Sequence, residues 1–277
     1  MKQGLQERFD LSGRVAVITG GLGLLGRQHA EAIAAAGGIP VLVDVRPASQ
    51  ETETADWRDR FGPQACALQA DITRREGVEA VRTAVLARFD RLDILINNAA
   101  NNPKMETPAD LVKSRFENMP LEQWADDLAV GLTGAFLCSQ VLGAEMARRR
   151  RGVIVNVASD LAVIAPDQRL YRREGLPDDQ QPAKPVTYSV VKTGLLGLTR
   201  YLATYWAESG VRVNAISPGG VYNGQGEDFV ARLSQLIPLG RMASRDEYQA
   251  AVVFLCCDAS SYMTGANLVI DGGRTCW

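Results

Sequence analysis

A tyrosine and a lysine one helical turn apart form the pair best suited to proton chemistry. In the segment YSVVK, Tyr188 and Lys192 are at positions i and i+4, which share one face of a helix. A free phenol has a pKa of about 10, so it is a weak base near neutrality. A neighbouring ammonium, such as that of Lys192, would favour the phenolate. Tyr188 could then accept a proton from an alcohol or donate one to a carbonyl group, although with seven tyrosines in the chain such a pair can also arise by chance.

A hydroxyl group that could hold the substrate oxygen follows a predicted strand. Ser159 comes just after the apolar run Val153–Val157. Ligands of open α/β sheets bind outside the carboxyl ends of the strands. We therefore expect Ser159 to lie at the same edge of the sheet as Tyr188. The only histidine is His29 and the five cysteines have no metal-ligand spacing, so we expect neither a histidine-based triad nor a metal site.

A glycine-rich turn predicts where a dinucleotide would bind. Residues 19–26 read TGGLGLLG and connect the first predicted strand to a helix. Glycines allow the tight turn and let the backbone approach a pyrophosphate, which lies at the positive end of the helix. The predicted cofactor contacts of this turn are Gly20, Gly23, Leu24, Leu25 and Gly26.

A carboxylate after the second strand favours NAD over NADP. Asp44 can accept hydrogen bonds from both hydroxyls of the adenosine ribose and would repel a 2′-phosphate. Arg27 and Arg46 argue the other way, since either could reach a 2′-phosphate. We expect NAD, with NADP as the less favoured alternative.

The ends of the third and fourth strands complete the predicted cofactor pocket. Asp71, followed by Ile72, could accept a hydrogen bond from the adenine amino group, cap the next helix, or do both. Asn98, Ala99 and Ala100 follow the fourth strand, where small residues would let the chain pass close to the cofactor.

The elements that position these residues follow one alternating pattern. Short β-branched runs alternate with longer helical patterns, which is typical of βαβ units and a parallel sheet. The strands are predicted at Val15–Thr19, Ile39–Val43, Ala65–Leu68, Leu92–Ile96, Val153–Val157, Val211–Ile216 and Leu268–Ile270. The helices are predicted at 24–36, 51–61, 74–89, 120–149, 186–208, 226–236 and 244–257. We expect one doubly wound α/β Rossmann domain over residues 1–277, with a seven-stranded, mainly parallel sheet and helices on both faces.

Together these motifs resemble the short-chain dehydrogenase/reductase family over nearly the whole chain. The match continues through NAISPG at 214–219 and DGG at 271–273. The resemblance implies that Tyr188 is the acid/base, that Ser159 orients the substrate oxygen, and that Lys192 binds the nicotinamide ribose and depresses the pKa of the tyrosine.

The same resemblance places a further segment beside the nicotinamide. It implies that Pro218, Gly219 and Val221 line that part of the site, with the backbone of Val221 meeting the carboxamide. It also implies a homo-oligomer, a dimer or tetramer, formed through the helices at 120–149 and 186–208.

Four positions depart from the pattern of the family's shorter branch, two of them being Ala100 in place of the usual glycine of NNAG and Asn223 in place of a common threonine. Leu24 occupies the middle glycine position of TGxxxGxG. Gly131, in the triplet VGL, stands where the branch usually has an asparagine that joins a proton relay. Glycine can retain the bent backbone but supplies no amide, so we expect water to fill the gap or the relay to be altered. We also expect Gly131→Asn to retain activity.

A long polar segment, residues 160–186, separates Ser159 from the tyrosine and is expected to overhang the substrate pocket. A solvated surface loop is the alternative. The polar character favours a sugar-like or hydroxy-acid substrate over a steroid. Its residues that could engage a polar or anionic substrate are Arg169, Tyr171, Arg172, Arg173 and Lys184.

The composition restricts the class of partner. The formal charge of −2 gives no broad attraction to nucleic acid or to an anionic membrane. We find neither a signal-peptide pattern nor a stretch of the roughly 20 uncharged apolar residues that a membrane span needs. We therefore expect a cytoplasmic enzyme with a small-molecule substrate and no nucleic-acid or membrane partner.

Three functions remain open from the sequence. The favoured one is an NAD-dependent oxidoreductase that interconverts a secondary alcohol and a carbonyl. The second is a nucleotide-sugar epimerase or dehydratase that retains its NAD. The third, suggested by Gly131, is a non-catalytic NAD-binding scaffold.

Overall fold

Seven parallel strands form one sheet in a computed structural model that describes residues 4–47, 60–101 and 107–277. The strand order is β3-β2-β1-β4-β5-β6-β7, and every neighbouring pair is parallel. The strands are β1 Val15–Thr19, β2 Ile39–Asp44, β3 Cys66–Gln69, β4 Ile94–Asn97, β5 Gly152–Val157, β6 Val211–Pro218 and β7 Asn267–Ile270. The prediction of a seven-stranded α/β sheet is confirmed.

The helices connect successive strands, as the alternating pattern predicts. They are α1 Leu24–Ala35, α2 Arg75–Phe89, α3 Pro108–Ser114, α4 Leu121–Arg148, α5 Val186–Tyr205, α6 Glu227–Ser234 and α7 Gln249–Cys256. The helix expected at 51–61 lies almost entirely outside the described residues. The last helix begins five residues later than predicted, at Gln249, because residues 244–248 form turns instead.

The two faces of the sheet bury separate apolar cores, and alternate residues of one strand enter each core. Val15 and Val17 of β1 pack with residues of α2, α4 and α5. Ala16 and Ile18 pack with residues of α1 and α7. Successive side chains of a strand point to opposite faces. A strand covered on both faces therefore reads as a continuous apolar run, as β1 does.

Helix α4 contains two π-helical turns, at Ala129–Thr133 and Ser139–Gly143. Its most apolar 18-residue window has a mean hydropathy of 1.4, so by length and composition it could cross a membrane. The sequence expectation concerned a stretch of roughly 20 uncharged apolar residues, and the uncharged run of α4, residues 128–144, is shorter than that. Half of that window is buried, and the helix packs against β4, β5 and α5. A buried core helix has the same apolar character as a membrane span.

The buried cysteines and the single histidine belong to the core. Four cysteine side chains are buried, only Cys276 is exposed, and all five are free thiols. His29 on α1 is fully buried, and burial lowers its pKa to about 4. The imidazole is therefore neutral at physiological pH.

The strand order places the predicted site residues at one edge of the sheet. The chain begins at β1 and later returns to the other side of that strand with β4, so connections leave in opposite directions between β1 and β4. This switch point opens a crevice at the carboxyl ends of the strands. At this edge three strands end at Asp44, Asn97 and Pro218. The residues that follow strands here are the glycine turn, residues 98–100, Ser159 and residues 219–221.

Candidate active site

A cavity of about 910 Å³ occupies the carboxyl edge of the sheet. Its lining extends from the glycine turn after β1 to Tyr188 on α5, and it includes Ser159 and Lys192. All the other residues predicted to contact a cofactor line it too, except Gly26. A Cβ at Gly26 would overlap the carbonyl oxygen of Gly20. Gly26 therefore lets α1 pack against the turn and does not line the cavity.

The glycine turn fits a pyrophosphate. Gly20 has a φ of +61°, which favours glycine, and a Cβ there would come within 2.9 Å of the Cα of Ala99. Helix α1 begins at Leu24 with no acidic residue in its first turn. Its free N–H groups and the helix dipole together favour an anion at this end.

Asp44 holds both the turn and an arginine. Its carboxylate accepts a hydrogen bond from the backbone N–H of Leu22 at 3.2 Å. Arg46 donates to the same carboxylate through Nε at 3.0 Å and Nη2 at 3.2 Å. Arg27, the other candidate for a 2′-phosphate, donates from Nε to the carbonyl oxygen of Leu22 at 3.1 Å. Arg27 and Arg46, the two candidates for binding a 2′-phosphate of NADP, thus both have hydrogen-bond partners within the protein.

Asp71 lines the cavity but does not cap the next helix. Its Oδ1 accepts from the backbone N–H of Thr73 at 2.9 Å and from the Thr73 hydroxyl at 2.7 Å. These hydrogen bonds lower the pKa of the Asp71 carboxyl. Helix α2 begins only at Arg75, with Arg74 at the N-cap. The structure therefore shows a local turn in place of the predicted cap.

The chain after β4 is tied to the glycine turn. The Thr19 hydroxyl accepts from the backbone N–H groups of Asn98 at 3.0 Å and Ala99 at 3.1 Å. The Asn98 side chain donates to the carbonyl oxygens of Thr19 at 2.9 Å and Gly20 at 3.2 Å. These bonds fix residues 98–100 along the cavity wall.

The three residues predicted to be catalytic lie together. The Tyr188 hydroxyl donates to Ser159 Oγ at 3.3 Å. Lys192 is buried, its Nζ donates to the carbonyl oxygen of Val157 at 2.7 Å, and this Nζ lies 5.8 Å from the centroid of the Tyr188 ring. Burial lowers the pKa of Lys192 to about 8 and raises that of Tyr188, while the hydrogen bond with Ser159 partly opposes the rise. Nearby positive charge is therefore needed to make the phenolate accessible.

The segment 160–186 brings a second ammonium to the tyrosine. Lys184 Nζ lies 3.9 Å from the centroid of the Tyr188 ring, within the range of a cation–π contact. Burial lowers the pKa of Lys184 to about 8. Tyr171 lines the same cavity and its ring packs on Phe229 at 5.7 Å between centroids. Two residues of the segment 160–186, Lys184 and Tyr171, therefore line the cavity beside Tyr188.

The three arginines of this segment lie further out. Arg172 and Arg173 line an adjoining cavity of about 860 Å³, which also contacts Tyr188. Arg172 Nη2 is 3.8 Å from Asp178 Oδ1. Arg169 is exposed and paired with Asp167 at 2.7 Å, and neither cavity includes it.

Sequence reasoning missed an ion pair beside Ser159. Asp160 Oδ2 accepts from Arg274 Nη1 at 2.6 Å, and both side chains are less than one-tenth exposed. Both residues line the cavity. Their positions offered one signal, since Asp160 directly follows Ser159 and Arg274 directly follows the glycine pair at 272–273.

Gly131 lies within the first π-helical turn of α4, so the bent backbone is retained. A Cβ at Gly131 would come within 2.5 Å of Val191 Cγ1 on α5. Val191 is buried beside Lys192 and has a stiff, branched side chain. Val191 therefore occupies part of the space that an asparagine side chain at position 131 would fill.

We expect Gly131→Asn to lower the free energy of unfolding by about 1–3 kcal/mol, since an overpacked side chain displaces Val191. The double variant Gly131→Asn/Val191→Ala should recover much of this loss, because the alanine vacates the contact. Thermal melts of both variants measure the effect, and turnover assays would show whether activity survives. Equal melting temperatures for wild type and Gly131→Asn would contradict the proposed clash.

Comparisons with known protein families agree with this geometry. Residues 14–171 match the family model described as short chain dehydrogenase. Residues 179–275 match the model described as Enoyl-(Acyl carrier protein) reductase.

Two curated relatives match nearly the whole chain. An NAD-dependent glycerol dehydrogenase of Listeria innocua is 34% identical over 279 residues, covering 99% of this chain and 98% of the relative. A D-threitol dehydrogenase of Mycolicibacterium smegmatis is 36% identical, covering 96% of this chain and 95% of the relative.

Two solved structures share the fold and differ in cofactor. A short-chain dehydrogenase from Leptospira borgpetersenii with bound NAD+ has a TM-score of 0.82 and 30% identity, covering 99% of this chain and 97% of that chain. A gluconate 5-dehydrogenase from Burkholderia cenocepacia, in complex with NADP and tartrate, has a TM-score of 0.84 and 26% identity, covering 99% and 100%. The chain therefore belongs to the short-chain dehydrogenase/reductase family and is an oxidoreductase that acts on CH–OH groups.

Proposed function

We propose that this protein is an NAD-dependent dehydrogenase that interconverts a secondary alcohol and a carbonyl group of a polyol or hydroxy acid. The observation that carries the proposal is the contact between Tyr188 and Ser159, flanked by the ammonium groups of Lys192 and Lys184. The whole chain, 1–277, acts as one domain, with 160–186 as its substrate-side insert.

The residues at the carboxyl edge fit a dinucleotide. The Gly20 turn would hold the pyrophosphate, and Asp44 would accept hydrogen bonds from the adenosine ribose. Pro218, Gly219 and Val221 line the same cavity and would lie beside the nicotinamide. When bound, the nicotinamide supplies the acceptor for the hydride.

The side chains perform the proton transfer. Ser159 holds the substrate oxygen next to the Tyr188 hydroxyl, and Tyr188 takes the proton from the alcohol during oxidation. Lys192 and Lys184 stabilise the phenolate by their positive charge, and burial lowers the pKa of each to about 8. In the reverse direction Tyr188 returns the proton to the carbonyl oxygen.

The preference for NAD is supported by Asp44 and by the NAD-dependent relative. NADP is the alternative cofactor, because the gluconate 5-dehydrogenase of the same fold was solved in complex with NADP. A polyol substrate is supported by the glycerol and D-threitol dehydrogenases among the relatives. A hydroxy acid is supported by the cationic lining of the adjoining cavity, which includes Lys184, Arg172 and Arg232.

A panel of glycerol, tetritols, hexitols, aldonic acids and simple hydroxy acids, each with NAD or NADP, tests the proposal. We expect NADH formation with at least one polyol or hydroxy acid, and at least tenfold lower kcat/KM with NADP. Tightly retained NAD without net turnover would favour the epimerase or dehydratase instead.

We further propose a cytoplasmic homo-oligomer that pairs through α4 and α5. The apolar residues Leu195, Leu196, Leu202 and Trp206 are buried within the protein, so they belong to its core. The exposed aromatic residues of these helices are others: Phe136 on α4, and Tyr201 and Tyr205, which stack on α5. Light scattering should show a dimer or tetramer, and a monomer would contradict this proposal.

A further inference from the structure

The adjoining cavity of about 860 Å³ differs in charge from the cavity that fits the dinucleotide. Of the residues that the structure describes, four acidic and four basic ones line the dinucleotide cavity, so their formal charges balance. Two acidic and five basic residues line the adjoining cavity. The basic ones are Arg172, Arg173, Lys184, Lys192 and Arg232. This excess of positive charge is local, because the whole chain carries a formal charge of −2.

The two acidic residues of this lining do not cancel the excess. Asp127 is buried on α4 and accepts hydrogen bonds from the Thr187 hydroxyl at 2.6 Å and from the Gln123 amide at 2.8 Å. Asp228, on α6, is exposed, so water weakens its attraction for the neighbouring cations. A cleft lined mainly by one sign of charge raises the local concentration of the opposite ion. The adjoining cavity therefore favours an anion.

Side-chain hydrogen bonds fix the backbone of the insert beside this cavity. The carbonyl oxygen of Arg172 accepts from Arg232 Nη1 at 3.0 Å, which ties the insert to α6. The Gln181 side chain accepts from the backbone N–H of Arg173 at 2.8 Å and donates to its carbonyl oxygen at 2.9 Å. Arg115, which directly follows α3, donates to the carbonyl oxygen of Gln181 at 3.3 Å. The arginine side chains thus extend from a fixed backbone, which lowers the entropic cost of binding a ligand.

Arg172 and Arg232 keep donor groups for a ligand. Arg172 Nη2 lies 3.8 Å from Asp178 Oδ1, a distance too long for a hydrogen bond. Arg232 uses Nε and Nη1 for the carbonyl oxygens of Asp228 and Arg172. Its Nη2 donates to no residue within the part of the chain that the structure describes. Both guanidinium groups can therefore bind an oxyanion.

The adjoining cavity also reaches the reacting tyrosine. Tyr188, Lys184 and Lys192 line both cavities, as do the apolar residues Leu170 and Phe229. The volume lies within the roughly 300–1,000 Å³ of small-molecule sites. A substrate whose reacting hydroxyl lies at Tyr188 can thus place its far end in the adjoining cavity.

We propose that the adjoining cavity binds an anionic end group of the substrate, a carboxylate or a phosphate, through Arg172 and Arg232. The substrate is then a sugar acid or a sugar phosphate. This proposal rests on the proposed dehydrogenase function and narrows its substrate class. Guanidinium groups bind carboxylate and phosphate oxygens by strong, charge-assisted hydrogen bonds, and a neutral polyol offers no such partner.

Three six-carbon probes isolate the charge of the end group: glucitol, gluconate and glucitol 6-phosphate. They share one carbon skeleton and the configuration of its inner hydroxyls. We expect kcat/KM with NAD to be at least about tenfold higher for one of the two anionic probes than for glucitol, the effect of one charge-assisted hydrogen bond. Preference for gluconate would identify a carboxylate as the end group, and preference for glucitol 6-phosphate would identify a phosphate. If none of the three is oxidised, the best polyol of the panel is compared with its own aldonic acid and phosphate.

Arg172→Met should remove most of this preference. The variant loses the guanidinium but keeps the backbone carbonyl that accepts from Arg232. We expect the ratio of kcat/KM for the preferred anionic probe to that for glucitol to fall about fivefold or more. The value for glucitol itself should change less than threefold. Arg172→Lys keeps the charge and should retain part of the ratio, and Arg172→Met/Arg232→Met should bring the ratio close to one.

Arg169→Met is the matched control, since Arg169 belongs to the same insert, pairs with Asp167 and lines neither cavity. Its ratio should equal that of the wild type, and melting temperatures show that each variant folds. An unchanged ratio in folded Arg172→Met and in the double variant, or a wild type that prefers neither anionic probe to the neutral polyol, would overturn the proposal while the dehydrogenase function stands. If no polyol, sugar acid or sugar phosphate is oxidised with NAD or NADP, the proposed function fails and this proposal fails with it.

Discussion

Replacing Tyr188 by phenylalanine should lower kcat by about 10²- to 10⁴-fold, the usual contribution of a positioned acid/base. The substitution removes one oxygen, which lies 3.3 Å from Ser159 Oγ. The aromatic ring, its contact with Lys184 and the burial of Lys192 are all retained. We therefore expect the dissociation constant for NAD, measured by titration, to change less than threefold. Turnover assays on the best substrate of the panel measure the loss of kcat.

Tyr262→Phe provides the matched control, since Tyr262 is fully exposed and lines neither cavity. It should leave kcat and the melting temperature at their wild-type values. If Tyr188→Phe retains full turnover, the tyrosine mechanism is wrong for this chain, whichever substrate it takes. If wild type and variant both bind NAD and neither turns over any substrate, the non-catalytic scaffold becomes the better hypothesis.

The parts of this site that the sequence predicts are those set by short-range spacing or by strand ends. Tyr188 and Lys192 share a helix, so their proximity follows from a period of 3.6 residues per turn. Asp44 is the last residue of a strand, Asn98 and Ser159 lie just beyond strands, and the carboxyl ends of parallel strands meet at one edge. A seven-stranded sheet could be predicted because its strands read as continuous apolar runs.

The parts that the sequence does not predict depend on contacts between distant segments. Asp160 and Arg274 are 114 residues apart, and no local pattern pairs them. Lys184 is a different case: it lies only four residues before Tyr188, but it precedes the start of α5 at Val186, so helical spacing does not predict its contact with the ring.

A single sequence also does not show which side chain packs against a glycine. Gly131 reads as a lost relay residue, yet in the structure Val191 from another helix lies against it. The apolar residues of α5 could belong to the core or to an interface, because a wide apolar surface suits both. In the structure these apolar residues are buried in the core, and Tyr201 and Tyr205 of the same helix are exposed.

Replacing Asp44 by serine should reverse the preference for NAD. The variant loses the acceptor for the ribose hydroxyls, and hydrogen bonds to a charged group contribute about 1.5–3 kcal/mol. We expect kcat/KM with NAD to fall about 10- to 100-fold. With NADP it should rise, because the repelling carboxylate is gone and Arg46 is no longer held at 3.0 Å by Asp44. Initial rates with each cofactor on one substrate measure both changes.

The double variant Asp44→Ser/Arg46→Met separates the two causes of that switch. Loss of NAD efficiency depends on Asp44 and should persist in the double variant. The gain with NADP needs the guanidinium to pair with the 2′-phosphate, so the double variant should lose most of it. Because Asp44 also accepts a hydrogen bond from the backbone of Leu22, melting temperatures must show that the turn still folds. A folded Asp44→Ser enzyme that keeps its full preference for NAD would mean that residues other than Asp44 select the cofactor.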